Sequence, residues 1–193
     1  MLPGLTVDPP IKAKVRTGIK ENGRPKATGR FHSEDAAFTE MLGDPEEIVV
    51  SIPFRSAEDA FPTGMELWGG KEVLICYCKD TVTAHRLPPK GSEDSHRIDT
   101  PCTYPECGQY KAGKCKPVGR LRMRIPQLGD AIYQLETKGW YSSKNIYSAL
   151  KIGEPIEKDQ HFRMWQTRET NSQGAYYVIH MAPIERVAEV EGE

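Results

Sequence analysis

The sequence predicts an α+β domain built around a mainly antiparallel sheet with two or three helices. Three observations indicate this class. Most strand-like segments alternate apolar and polar residues, short turns containing Gly or Asn join several of them, and few segments have helical periodicity. With 193 residues the chain is long enough to bury a core of its own. We therefore expect one domain over residues 31–185.

The two ends of the chain differ in character from its middle. Residues 1–30 are rich in Pro, Gly, Lys and Arg and have little apolar periodicity, which favours a flexible basic arm. Residues 186–193 form an acidic tail. No segment has the roughly 20 apolar residues that a membrane span needs, and no signal peptide is evident. These features predict a soluble protein of a reducing cytoplasm.

The predicted elements lie in the middle of the chain. A short helix is expected from Ser33, which precedes two acidic residues, to a stop at Gly43. A second short helix is expected after Ser56, and a third begins near Ser142 or Ser143, with Ile146 among its inward residues. Strands are predicted over residues 46–54, 65–69, 72–78, 81–87, 118–126, 131–137, 161–170 and 175–185.

The five cysteines form two groups. Cys76 and Cys78 end a predicted strand, and Cys102, Cys107 and Cys115 lie in a loop that Gly and Pro residues punctuate. Converging thiolates favour a tetrahedral zinc site, and a zinc-stabilised cysteine loop over residues 76–115 completes the predicted fold class. The spacing is irregular, however, with four residues between the first two loop cysteines and seven between the next two.

Three alternatives to a zinc site remain open. Disulfides would require an oxidising compartment, and the cysteine count is odd. The thiols could be free and packed as small apolar residues, above all one of Cys76 and Cys78, which we expect to face opposite sides of their strand. A catalytic thiol would need a partner histidine, and no histidine has a motif relation to a cysteine.

Basic residues are concentrated beside the cysteine loop, although the net charge of the chain is only −1. A strand over residues 118–126 would place three arginines on one face, about 6.5–7 Å apart, near the spacing of phosphates along a nucleic-acid strand. A solvated surface loop is the alternative. The basic residues of this segment are Lys111, Lys114, Lys116, Arg120, Arg122 and Arg124.

Aromatic residues at the third predicted helix give a second candidate contact surface. Trp140 and Tyr141 lie beside Lys144, a combination suited to stacking on nucleic-acid bases. An aromatic cap on the hydrophobic core is the alternative interpretation.

The order of several segments resembles a known family. The run RPKATGRFHSED is followed by DPEEIVVSIPF, LWGGKEVLICYCKD, three loop cysteines with CKPVGRL, and IYQLETKGWYSSKNIYSAL. This succession resembles the phage recombination directionality factor-like family, over roughly residues 24–184. The resemblance implies a structural Zn²⁺ held by Cys76, Cys102, Cys107 and Cys115, while Cys78 has no obvious counterpart and is the alternative to Cys76.

The resemblance also implies a function. Factors of this family bind a serine integrase on attachment-site DNA and shift it from integration towards excision, so we expect a non-enzymatic partner of integrase, DNA or both. Two alternatives come from other classes. One is a general nucleic-acid-binding zinc protein of phage DNA replication or metabolism. The other is a metal-dependent hydrolase built on Asp80, His85, Glu93 and His96, although no metallohydrolase motif supports it.

Overall fold

The fold is mostly β, so the α+β prediction is wrong. Strands hold about half of the described residues, and the described helices are four and short. The computed structural model describes residues 10–22, 24–70, 73–88, 90–92, 96–157, 160–172 and 174–184. The predicted acidic tail, the first nine residues of the predicted arm and Glu93 of the hydrolase alternative lie outside these ranges.

Eleven strands build the described fold, and every predicted strand has a counterpart among them. The three that the sequence did not predict are β1, β2 and β7. Their bounds are β1 Ile11–Glu21, β2 Arg24–Ser33, β3 Glu47–Ser51, β4 Thr63–Trp68, β5 Leu74–Cys78, β6 Thr83–Arg86, β7 Ile98–Pro101, β8 Cys115–Arg124, β9 Ile132–Thr137, β10 His161–Asn171 and β11 Gly174–Pro183.

The helices are α1 Ala36–Leu42, α2 Ala57–Ala60, α3 Gly108–Lys111 and α4 Trp140–Ile152, with a 3₁₀ turn at Pro126–Leu128. The Ser56 side chain caps α2 as predicted by accepting the Asp59 N–H at 3.2 Å. The sequence did not predict α3, and α4 begins two residues before Ser142. None of the described helices is long and apolar enough to cross a membrane.

The strands form one mixed sheet that branches at β8. Its main path runs β11–β10–β3–β8–β4–β5–β6–β7, and a side branch runs from β8 through β9 and β1 to β2. The pairs are antiparallel except that β1 and β9 are parallel. Because β8 has ten residues, its first half pairs with β4 while its second half pairs with β9. One strand thus joins two parts of the molecule.

β1 and β2 pair as an antiparallel hairpin, where the sequence favoured a flexible arm. β1 alternates exposed Lys14 and Arg16 with buried Val15, and its partner β2 buries Phe31 completely. The alternation is hard to recognise because charged residues and glycines surround the few apolar ones. Parallel pairing with β9, more than a hundred positions later in the chain, supplies the ordering contacts.

The described apolar residues bury themselves in two clusters. The larger cluster includes Phe31, Leu121, Tyr133 and Phe162. α4 adds three inward residues, which are buried as predicted: Ile146, Ala149 and Leu150. The smaller cluster holds Met65, Cys78 and Ala84. Three more cysteines and two tyrosines pack against it: Cys76, Cys102, Cys115, Tyr104 and Tyr110.

Helix α4 also closes the outer edge of β11. Ser142 Oγ accepts the backbone N–H of Ile179 at 3.0 Å, and Asn145 Nδ2 donates to the carbonyl of the same residue at 3.2 Å. β11 pairs with β10 on its other side. Side chains therefore satisfy backbone groups that would otherwise be open to another strand.

Candidate functional site

All five cysteines line one pocket of about 260 Å³, which lies between strands β4–β7 and the loop that precedes β8. Cys76 and Cys115 each pair in register with Leu67, which places them on one face of the sheet. Cys78 lines the same pocket, so the expectation that it faces away from Cys76 is wrong. Residues two apart in a strand point to the same side.

Cys107 occupies a special position in this pocket because it is the residue that caps α3. The backbone amides of Tyr110 and Gln109, at the start of this helix, lower the pKa of its thiol. The sequence predicted a loop here without a helix. The short helix turns two amides towards the sulfur, which favours the thiolate.

The other sulfurs have the opposite tendency. Burial raises the pKa of Cys76, that of Cys115 to about 11 and that of Cys78 to about 12, the last also through a hydrogen bond with Cys102. These thiols are neutral at pH 7 and pack as small apolar groups against Met65.

The zinc-stabilised loop of the predicted fold class needs correction. Across the described ranges, no three or more His, Cys, Asp or Glu side chains form a group that could hold a metal ion. Hydrogen bonds and packing order the loop instead. The Cys102 N–H donates to the Val82 carbonyl at 2.7 Å. The rings of Tyr104 and Tyr110 pack edge to face, with their centroids 4.8 Å apart.

The arginines of β8 lie on the outer face of the sheet, opposite the buried Leu121 and Met123. They are half-buried. Arg120 forms ion pairs with Glu66 at 2.6 Å and Glu136 at 3.2 Å. Glu66 is itself buried and accepts the indole N–H of Trp68 at 2.8 Å. Much of the Arg120 charge is therefore already compensated within the protein.

The other two arginines make different contacts. Arg122 lies over the Phe54 ring at 4.9 Å, and Arg124 is 3.9 Å from the exposed carboxylate of Asp130. Sequence analysis did not identify Glu66 or Glu136 as partners. The sequence showed only that two predicted strands each contain an acidic residue. The register of those strands against β8 decides which arginine each acid contacts.

The remaining predicted contact residues are at the surface. Lys111, Lys114 and Lys116 are exposed around the cysteine loop, and Lys111 pairs with Glu106. Trp140 and Tyr141 are 63% and 61% exposed, so they do not cap the core. Both rings are accessible to a partner at the start of α4. Lys144, one turn later, is also exposed.

Two of the groups proposed for the hydrolase alternative, Asp80 and His85, make local contacts within the described part of the chain. Asp80 accepts the backbone N–H groups of Val82 and Thr83 at 2.8 Å, and His85 Nδ1 contacts Asp99 at 2.5 Å. Each described carboxylate thus has a local role in ordering the β5–β6 turn or the β6–β7 pair. This arrangement favours a structural role for both residues.

Comparison with known proteins identifies the family. A family model described as Gp3-like, recombination directionality factor-like, matches residues 13–184. Neither the curated proteins nor the solved structures that were compared contain a match. The matched range includes the cysteine pocket, the arginine strand and α4. The chain therefore belongs to the recombination directionality factor-like family.

Proposed function

We propose that this protein is a non-enzymatic accessory factor of phage recombination that binds a serine integrase, DNA or both and favours prophage excision. The observation that carries the proposal is the family match over residues 13–184. A factor of this kind acts through binding, and the chemistry of strand exchange belongs to the integrase. The exposed Trp140 and Tyr141 and the outer face of β8 offer surfaces for such contacts.

The proposal is tested with integrase, attachment-site DNA and purified protein. We expect the protein to raise the yield of excision and lower that of integration. Arg122→Glu should weaken this effect, because it reverses the charge of one of the three arginines of β8. Arg168→Glu, at an exposed position of β10, is the matched control. An unchanged direction of recombination in the presence of the wild-type protein would contradict the proposal.

A general nucleic-acid-binding role is the second candidate. The exposed pair of rings at the start of α4 favours it, because aromatic side chains stack on unpaired bases. Gel shifts with and without integrase separate the two functions. Binding contingent on integrase supports the recombination factor, and equal intrinsic affinity for unrelated single strands supports the general binder.

We also propose that the cysteine pocket binds Zn²⁺. The donor set supports this proposal in kind, since Zn²⁺ prefers thiolates and all five thiols line one cavity. The side chains would have to close around the ion, with Cys76, Cys102, Cys107 and Cys115 as ligands and Cys78 as the alternative to Cys76.

The zinc proposal predicts about one metal ion per chain in protein purified without chelators. Cys107→Ser should reduce the zinc content strongly, because the lowered pKa of its thiol favours the thiolate that binds the metal. Elemental analysis measures the content. Cys78→Ser is the control and should retain zinc. Loss of zinc from Cys78→Ser, with zinc retained in Cys76→Ser, would make Cys78 the ligand in place of Cys76. Metal-free wild-type protein would contradict the proposal.

A further inference from the structure

We propose that a groove beside the β1–β2 hairpin binds the sugar–phosphate backbone of duplex DNA. The groove shares no lining residue with the cysteine pocket, and three of its basic residues lie in the segment for which the sequence favoured a flexible basic arm. The choice of duplex DNA rests in part on the proposed function, because a recombination factor works at attachment sites. The position and charge of the groove are independent of that function.

A bend in the hairpin creates the groove. Arg16 pairs with His32, but Gly18 pairs with Ala27, so one residue of β1 is opposite four residues of β2. Beyond this bulge the strands approach closely. A Cβ atom at Gly18 would lie 2.4 Å from the Lys26 carbonyl oxygen. The outer half of the hairpin and the end of β9 then enclose a space of about 600 Å³.

The charged side chains of the groove are mostly cations. Glu136 is the one acid in its described lining, which also contains Val15, Thr17, Gly18, Ile19 and Ala27 beside four basic residues. Those four are Lys14, Arg16, Lys26 and Lys138.

Three of these cations have acidic neighbours, and the fourth does not. Arg16 pairs with Glu34, Lys26 with Glu21 at 2.8 Å, and Lys138 with Glu136 at 3.6 Å. The cations of these pairs are at least half exposed. Because water screens such pairs and makes them weak, a phosphate can replace the carboxylate at little cost. Lys14 is exposed and makes no ion pair within the described part of the chain.

The groove is continuous with the arginine face. Arg122 pairs in register with Gln134, and Gln134 pairs with Lys14. Directly paired residues share a face, so Arg122 and Lys14 point to the same side two strands apart, about 10 Å from each other. A nucleic-acid backbone that contacts the arginines of β8 would reach the groove within one or two phosphates.

The composition of the groove favours a duplex over a single strand. Proteins that bind single strands stack bases on aromatic rings. The described lining contains no aromatic side chain and offers cations for backbone contacts. Backbone contact of this kind does not depend on base sequence.

The test is fluorescence anisotropy of purified full-length protein with a labelled 30-bp duplex across a salt series. We expect Lys14→Gln with Lys26→Gln to weaken binding roughly tenfold or more at 0.1 M salt. The slope of log affinity against log salt should fall by about 2, since each lost phosphate contact removes about 0.9. Lys90→Gln with Arg168→Gln is the matched control, because both residues are exposed and neither lines this groove or the pocket beside Arg120.

Each outcome decides the inference. Unchanged affinity and slope in the double variant would overturn it, as would wild-type protein without affinity for the duplex or with preference for a single strand of the same sequence. Loss of integrase binding without loss of DNA binding would assign the groove to a protein partner and also overturn it. Thermal melting of both double variants establishes that they are folded.

The recombination assay separates this inference from the proposed function. Wild-type protein that redirects recombination without binding duplex DNA would sustain the function and overturn the groove. Wild-type protein that binds the duplex through Lys14 and Lys26 but leaves recombination unchanged would sustain the groove and contradict the function.

Discussion

Replacing Arg120 by alanine should lower the free energy of unfolding by about 2–3 kcal/mol. The reason is Glu66, whose side chain is only 8% exposed and whose closest cation is Arg120 at 2.6 Å. Without the guanidinium, a carboxylate stays buried with only the Trp68 indole as hydrogen-bond donor. Because Arg120 is itself 32% exposed, water partly replaces it, so the loss falls below that of a fully buried pair. Chemical denaturation measures the change.

Two comparisons make the Arg120 result specific. Arg124→Ala, on the same face of the same strand, should cost much less, because its partner Asp130 is fully solvated and 3.9 Å away. Adding Glu66→Gln to Arg120→Ala should recover part of the stability by removing the unpaired charge. Equal losses for Arg120→Ala and Arg124→Ala would show that Arg120 does not compensate Glu66.

Gly119→Ala should destabilise the fold by about 3 kcal/mol through overpacking. A Cβ atom at this position would lie 2.2 Å from Cζ of Phe61 and 2.7 Å from Cε2. Phe61 is 1% exposed and belongs to the larger core cluster, so its ring has no free space to enter. For a chain of this length the loss corresponds to a fall in melting temperature of about 6–12 °C.

A matched glycine and a second-site change test this explanation. Gly108→Ala should change stability by less than about 0.5 kcal/mol, since nothing lies within 4 Å of its Cβ position at the start of α3. Phe61→Leu, combined with Gly119→Ala, should cost less than the sum of the two single changes because the shorter side chain makes room. Strict additivity would contradict the clash.

Local patterns predicted the elements that carry strong apolar alternation. β8 alternates Leu121 and Met123 with arginines, and α4 spaces its apolar residues for one buried face, so both could be located from sequence. The polar turn near Asn171 likewise indicated the β10–β11 hairpin. In these segments the period of the side chains and the direction of burial agree.

What the sequence could not provide came from contacts between distant residues. The strand character of β1 and β2 depends on parallel pairing with β9, and their omission made the fold seem poorer in strand than it is. The same limit applied to the site. Glu66 and Glu136 meet Arg120 only because of the register of β4 and β9 with β8, which no local pattern encodes.

The shared strand β8 has a thermodynamic consequence. Its first residue, Cys115, lines the cysteine pocket, while Leu121 and Met123 are fully buried in the larger core six and eight positions later. The first half of β8 cannot separate from β4 without disturbing the second half, which pairs with β9. Strands β4–β7 and the larger core therefore belong to one cooperative unit. By linkage, a ligand that binds only the folded pocket adds RT ln(1 + [L]/Kd) to the stability of that whole unit. Occupancy at the periphery would thus slow hydrogen exchange of amides deep in the core, at a distance from any atom of the ligand.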